Sequence, residues 1–138
     1  MTLTFANNSE AREISRMANE IWHDCFKGII SKDQIEYMLM QFQTERKISE
    51  QMDAGYQYGF IFDGKEKAGY FAVLPEEDSL FMSKLYLKKE FRGRGLGSAS
   101  LLDIIDIGRK LGKRRTYLHV NRNNAAGIRT YQRNGMSQ

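Results

Sequence analysis

A chain of 138 residues, 41% hydrophobic and 28% charged, is the size of one globular domain with its own core and too small for two. One proline and 12 glycines exclude a low-complexity or disordered chain, and no apolar run approaches the ~20 residues of a membrane helix. The net charge of +4 is unevenly spread: residues 84–138 carry 13 Lys/Arg against three acidic residues (+10), and residues 1–83 carry eight against 14 (−6). The basic half suits an anionic partner and the acidic half a cation, or both faces are simply solvated. Met1 to Phe5 lack the charged and apolar regions of a signal peptide, and the lone Cys25 has no internal disulfide partner. Both point to a cytoplasmic protein.

Leu3 to Phe5 reads as a short strand. A helix is predicted from Asn8 or Ser9, with Ile14, Met17, Ala18, Ile21 and Trp22 at helical spacing and Lys27-Gly28 ending it. Ser31, with Gln34 three residues on, caps a second helix carrying Ile35, Met38, Leu39 and Phe42. A third runs from about Thr44 to Met52, ended by Ala54-Gly55. From Tyr56 the period changes to that of strands: Tyr56 to Phe62, a turn at Asp63-Gly64, Lys67 to Leu74, a turn over Pro75 to Asp78, then Leu80 to Leu87. A glycine-rich stretch from Arg92 to Gly97 opens a helix whose apolar side is read as Leu101, Leu102, Ile104, Ile105 and Leu111. Gly112 caps it, and Lys110 and Lys113 face its dipole. A strand over Thr116 to Val120 and a helix over Ala125 to Asn134 complete one α+β domain spanning residues 1–138.

The most informative stretch is Phe91-Arg92-Gly93-Arg94-Gly95-Leu96-Gly97-Ser98. Glycines let backbone N–H groups turn toward a ligand with no Cβ in the way, and the following helix adds its unpaired N–H groups and positive dipole end. Arg92 and Arg94 bring charge, so the stretch fits a pyrophosphate cradle; glycines also serve tight turns, which is the competing reading. A P-loop is absent, and Ser98 stands where a dinucleotide fingerprint needs its third glycine.

Leu85-Tyr86-Leu87 followed by Arg92-x-x-Gly95-x-Gly97 resembles the acyl-CoA loop of the GNAT superfamily of N-acetyltransferases. Asn124-x-x-Gly127-x-x-x-Tyr131-x-x-x-Gly135-Met136 resembles its second signature, where alanine is usual at Gly127 and phenylalanine at Met136. The order of elements matches from Leu3 to Asn134. The resemblance implies a mixed, mostly antiparallel central sheet flanked by helices, and an enzyme that moves an acetyl group from acetyl-CoA to an amine in a ternary complex. It implies that the backbone of Leu85 and Leu87 holds the pantetheine, and that the amides of Arg92, Gly93, Arg94, Gly95, Leu96, Gly97 and Ser98 hold the pyrophosphate. Asn124 would reach the pantetheine from the other side. Tyr131 would give a proton to the departing thiolate, a role a phenol of pKa ~10 can fill.

The group that deprotonates the amine is left open. His119 titrates near neutrality but strand histidines also pack or face solvent; Glu76, Glu77 and Asp78 lie in a turn and read as solvated; a water chain needs no named base. Trp22 reads as core, and His23 and Tyr37 as amphipathic surface. His23-Asp24-Cys25 diverge on a helix, so no metal is expected, and the methionines, Met38 and Met40 among them, read as core filler. A non-catalytic acyl-CoA-binding module is the alternative function. A nucleic-acid binder, prompted by the +10 half, lacks a stacking or recognition-helix motif. The acidic first 83 residues favour a cationic small amine or polyamine as acceptor. In the family, further strands follow the second signature. Their lack after Gln138 predicts a short C-terminus and either a second copy covering the 116–120 edge or a truncated sheet of marginal stability, with Arg114 and Arg115 flanking that strand.

Overall fold

The aromatic and β-prone run after Tyr56 forms the centre of a five-stranded sheet in the computed structural model, which describes residues 2–118. Strands β1 (Thr2–Phe5), β2 (Gln57–Asp63), β3 (Glu66–Pro75), β4 (Ser79–Leu87) and β5 (Arg115–Leu118) lie side by side in chain order. The first four pair antiparallel and β5 joins β4 in parallel, with Met82 beside Leu118. The α+β class and the mostly antiparallel sheet stand as expected. Positions 119 and 120 of the predicted strand, and the predicted helix over 125–134, lie outside the described residues.

Helices α1 (Ala11–Phe26), α2 (Lys32–Phe42) and α3 (Glu45–Asp53) cover one face of the sheet, and α4 (Leu96–Lys110) covers the other. Ile14, Ile21, Ile48, Tyr58, Phe60 and Tyr70 are buried on the first face. Phe71, Val73, Leu80, Leu101, Ile104 and Leu118 are buried on the second. The caps follow from short polar side chains: Ser31 Oγ accepts from the Gln34 N–H at 3.1 Å, and Thr44 Oγ1 from the Lys47 N–H at 3.1 Å. A capping box absent from the sequence reading joins Asn7 and Glu10 around a single 3₁₀ turn, so α1 starts at Ala11 rather than Asn8 or Ser9.

The apolar side of α4 differs from the sequence reading. Leu102 and Leu111 are about half exposed, and the buried stripe runs through Leu96, Ser100, Leu101, Ile104 and Gly108. Small residues replace large ones because the helix lies close on the sheet: a Cβ on Gly108 would sit 2.7 Å from Thr116 Oγ1. Gly112, at φ 78°, ends α4 with paired bonds, from its own N–H to the Arg109 carbonyl and from the Lys113 N–H to that of Gly108. Lys113 does not face the helix end. Its ammonium reaches the carbonyl of Glu76 in the β3–β4 turn. Met40 is exposed, so it is not core filler, whereas Met17 and Met82 are buried. Arg115 belongs to β5 instead of flanking it, with its guanidinium 5.1 Å from the Tyr117 ring centre.

One irregularity positions everything that follows. Ala72 pairs with Lys84 but Val73 pairs with Met82, so Ser83 is an extra residue in β4. A bulge of this kind reverses the alternation of the strand. Leu80 and Met82 face α4 before it, and Leu85 and Leu87 face α4 after it, while Lys84 and Tyr86 are turned to the α1 side.

Candidate functional site

Downstream of the bulge, the Lys88 N–H donates to the Ala68 carbonyl at 2.8 Å. Backbone groups alternate sides along an antiparallel strand, so Tyr86 also addresses β3, and the N–H and C=O of Leu85 and Leu87 point to the opposite edge. That is the edge on which β5 pairs with β4, from Ser79 to Met82. The carbonyl of Leu87 already accepts from Arg92 Nε at 3.1 Å.

Beyond β4, a 3₁₀ turn at Lys89–Phe91 buries the Phe91 ring and delivers the chain to Arg92. Gly93 and Gly95 take φ of 78° and 79°, conformations L side chains rarely adopt, and a Cβ at either would meet nothing within 4 Å. The outer surface of the turn is therefore bare backbone. Gly95 is also the residue before α4, whose first turn holds no acidic side chain to answer the positive end of its dipole. Leu96 is buried with the core and contributes to this surface only through its backbone, while Gly97 and Ser98 follow on the first turn. The Arg94 guanidinium lies 3.5 Å from Asp63 Oδ2 and 5.4 Å from the Phe91 ring centre, so its charge is partly answered within the protein. Bare amides, a helix N-terminus and two arginines make this turn fit a pyrophosphate. A nearby cleft of about 560 Å³ between α1 and the β2–β3 turn does not. Its charged lining is four cations and four carboxylates, including the Lys67–Glu13 and Lys88–Glu20 pairs.

The α1 side of the sheet holds a buried polar network that sequence reasoning missed. Trp22 Nε1 donates to the Tyr70 hydroxyl at 2.8 Å, and that hydroxyl donates to Gln43 Oε1 at 3.1 Å. Tyr58 donates to Gln51, and burial pushes its phenol up to about 12. Trp22 is core, as expected, but it also ties α1 to β3; Tyr37 is exposed. Glu76 is not simply solvated. Its Oε1 accepts from the Tyr117 hydroxyl at 2.6 Å and from Ser79 Oγ at 3.1 Å, tying the β3–β4 turn to β5. Glu77 and Asp78 are exposed.

Lys84 was not singled out by the sequence, although it is the one charged residue between Ser79 and Leu87, which was signal enough. It lies one residue past the bulge, and burial lowers its ammonium to about 8. Asn124, Tyr131 and His119 lie outside the described residues. Among the described residues no group of three or more metal-ligating side chains occurs, and no helix is long and apolar enough to cross a membrane.

A bulged strand thus runs into a glycine turn at a helix N-terminus, a surface of backbone amides suited to an anionic group. The chain belongs to the Acetyltransferase (GNAT) family, whose profile matches residues 15–136, and it is thereby an acyltransferase. It is 26% identical over 124 residues to a spermidine N(1)-acetyltransferase of Thermoplasma acidophilum, covering 86% of this chain and 77% of that one. Its fold is similar to that of the PaiA N-acetyltransferase of the same organism, solved in complex with coenzyme A. The TM-score is 0.82 at 22% identity, over 97% of this chain and 89% of the other. An aminoglycoside N-acetyltransferase in complex with CoA shares the fold at a TM-score of 0.69 and 9% identity, over 99% and 88%.

Proposed function

We propose that residues 1–138 act as one N-acetyltransferase domain that moves an acetyl group from acetyl-CoA to a primary amine, with a cationic small amine or polyamine as acceptor. The observation that carries the donor half is the pair of left-handed glycines, Gly93 and Gly95, laying bare backbone before the N-terminus of α4. When bound, acetyl-CoA supplies the reactive thioester. The amides from Arg92 to Ser98 bind its pyrophosphate, and Arg92 and Arg94 add charge. The outward backbone of Leu85 and Leu87 holds the pantetheine. Because Arg92 occupies the Leu87 carbonyl, the N–H of Leu87 is the group assigned to this task. Asn124 closes on the pantetheine from the far side, and Tyr131 protonates the thiolate as the amine attacks directly.

Two observations support the acceptor class. The first 83 residues carry −6, a field that attracts cations, and a relative 26% identical is named for acetylating spermidine. The lone Cys25 supports a reducing cytoplasm as the setting. The test is thiol release from acetyl-CoA across spermidine, spermine, a neutral monoamine and aspartate, with calorimetry of acetyl-CoA binding alongside. Release that depends on the amine and is strongest for the polyamines, weakening with salt, supports the reading. Binding without amine-dependent release would leave an acyl-CoA-binding module. Preference for aspartate would overturn the acceptor class alone.

A further inference from the structure

Lys84 is part-buried, and the packing around it withdraws its ammonium from water. An ammonium taken out of water is costly unless a carboxylate or several acceptors answer it, and a methionine would fill the same space without that cost. Lys84 has a single hydrogen bond, to Ser83 Oγ at 3.3 Å, and no ion pair among the described residues. Its register partner is Ala72, and its strand neighbours are the bulge residue Ser83 and Leu85. The bulge turns it toward the α1 side of the sheet, between the point where described β4–β5 pairing ends at Met82 and the strand backbone assigned to the pantetheine.

We propose that Lys84 is itself an acetyl acceptor, taking the acetyl group from bound acetyl-CoA when no amine substrate is present. The inference rests on the donor site proposed above. The neutral Nζ attacks the thioester carbonyl carbon, a C–N bond forms as the C–S bond breaks, and sulfur leaves with the electron pair. The proton shed by nitrogen passes to that sulfur, so the products are the CoA thiol and an acetamide on Lys84. Burial favours each stage. An amine held near pH 8 is neutral roughly a hundredfold more often at that pH than an ordinary lysine. The amide product carries no charge, so the penalty that burial sets on the ammonium disappears.

The experiment incubates the whole chain with acetyl-CoA near pH 8, without amine, and follows acetylation by intact and peptide mass. One acetyl group is expected on the peptide bearing Lys84, formed roughly tenfold or more faster than on any other lysine. Excess desulfo-CoA should suppress it, and spermidine should slow it by competing for the donor. Lys84→Arg should remove the adduct; if that variant does not fold, suppression by desulfo-CoA in the unaltered chain decides. Acetyl-CoA binding in calorimetry with Lys84 unmodified would overturn this inference and leave the donor site standing. Labelling spread evenly over exposed lysines and indifferent to desulfo-CoA would overturn it too. Absence of any binding would remove both.

Discussion

Arg92 donates from Nε to the carbonyl of Leu87 at 3.1 Å, so the side chain of the glycine turn is bonded to the end of the strand that precedes it. Strand end and cradle are thereby held as one piece. On the proposed donor site, the amides assigned to a pyrophosphate and the backbone assigned to a pantetheine would keep a set separation before any ligand arrives, which would lower the ordering cost of binding.

Gly95 and Gly97 separate ligand effects from backbone effects. A Cβ on Gly97 would lie 3.9 Å from Leu87 Cδ1, an ordinary contact, and alanine is the better helix former by up to ~1 kcal/mol. Gly97→Ala should therefore weaken acetyl-CoA binding in calorimetry with an unchanged or higher Tm. Gly95→Ala must take φ near 79°, at a cost of about 1–2 kcal/mol, so it should lower Tm as well.

Reversing charge at Arg94 tests the electrostatic part. The Arg94–Asp63 pair is exposed and worth only about 0–1 kcal/mol, so Arg94→Glu should leave Tm nearly unchanged. Acetyl-CoA affinity should fall, and the loss should shrink as salt rises. Equal affinity at low salt would remove Arg94 from the donor site.

Tyr131→Phe keeps the ring and removes only the proton. Its kcat should drop by ~10²–10⁴, with acetyl-CoA binding nearly intact. A kcat matching the unaltered enzyme would assign Tyr131 to packing.

Gly69→Ala strikes the frame rather than the chemistry. The added Cβ would fall 2.0 Å from the Tyr86 carbonyl oxygen and 2.9 Å from the Leu87 Cα, both backbone atoms of β4. Neither can move without shifting the strand, so overpacking should cost about 1–3 kcal/mol or more. A fall in Tm together with weaker acetyl-CoA binding is expected. A melt within a degree or so of the unaltered chain, on the scale of a few degrees per kcal/mol, would contradict the β3–β4 register.

Lys84 gives a pH signature of defined sign. Its folded pKa, about 8, lies below the ordinary lysine value of 10.5, so the unfolded chain holds this proton more tightly. The penalty is present in full below pH 8 and is relieved as pH rises toward 10.5. Lys84→Met should therefore raise stability near neutrality, by about 1–3 kcal/mol, and the advantage should fade over that window. Tyr58 acts oppositely at higher pH. Its phenol is raised from 10.0 to about 12, so its stabilising contribution is lost as pH climbs through that interval. Thermal melts from pH 7 to 12 on both proteins check the sign.

By itself the sequence determined what local chemistry governs. Ser31 and Thr44 cap their helices because a short hydroxyl reaches an N–H three residues on. The turn at Asp63-Gly64 and the glycines before α4 were legible because only certain residues take those backbone angles. The family was legible because both of its signatures are short runs in a set order. Tertiary structure alone decided the rest. The extra residue at Ser83 leaves no mark in the hydrophobic pattern, since Leu80-Phe81-Met82 precede it and Leu85-Tyr86-Leu87 follow it, yet it assigns Lys84 to one face and Leu85 to the other. The buried stripe of α4 runs through Ser100 and Gly108 because close packing on β4 and β5 selects small residues, a choice no single-helix periodicity contains. Glu76 meets Tyr117, and Trp22 meets Tyr70, across 41 and 48 positions of chain. Such pairs are made by the sheet bringing distant strands together, and side-chain chemistry read along the chain has no means of naming the partner.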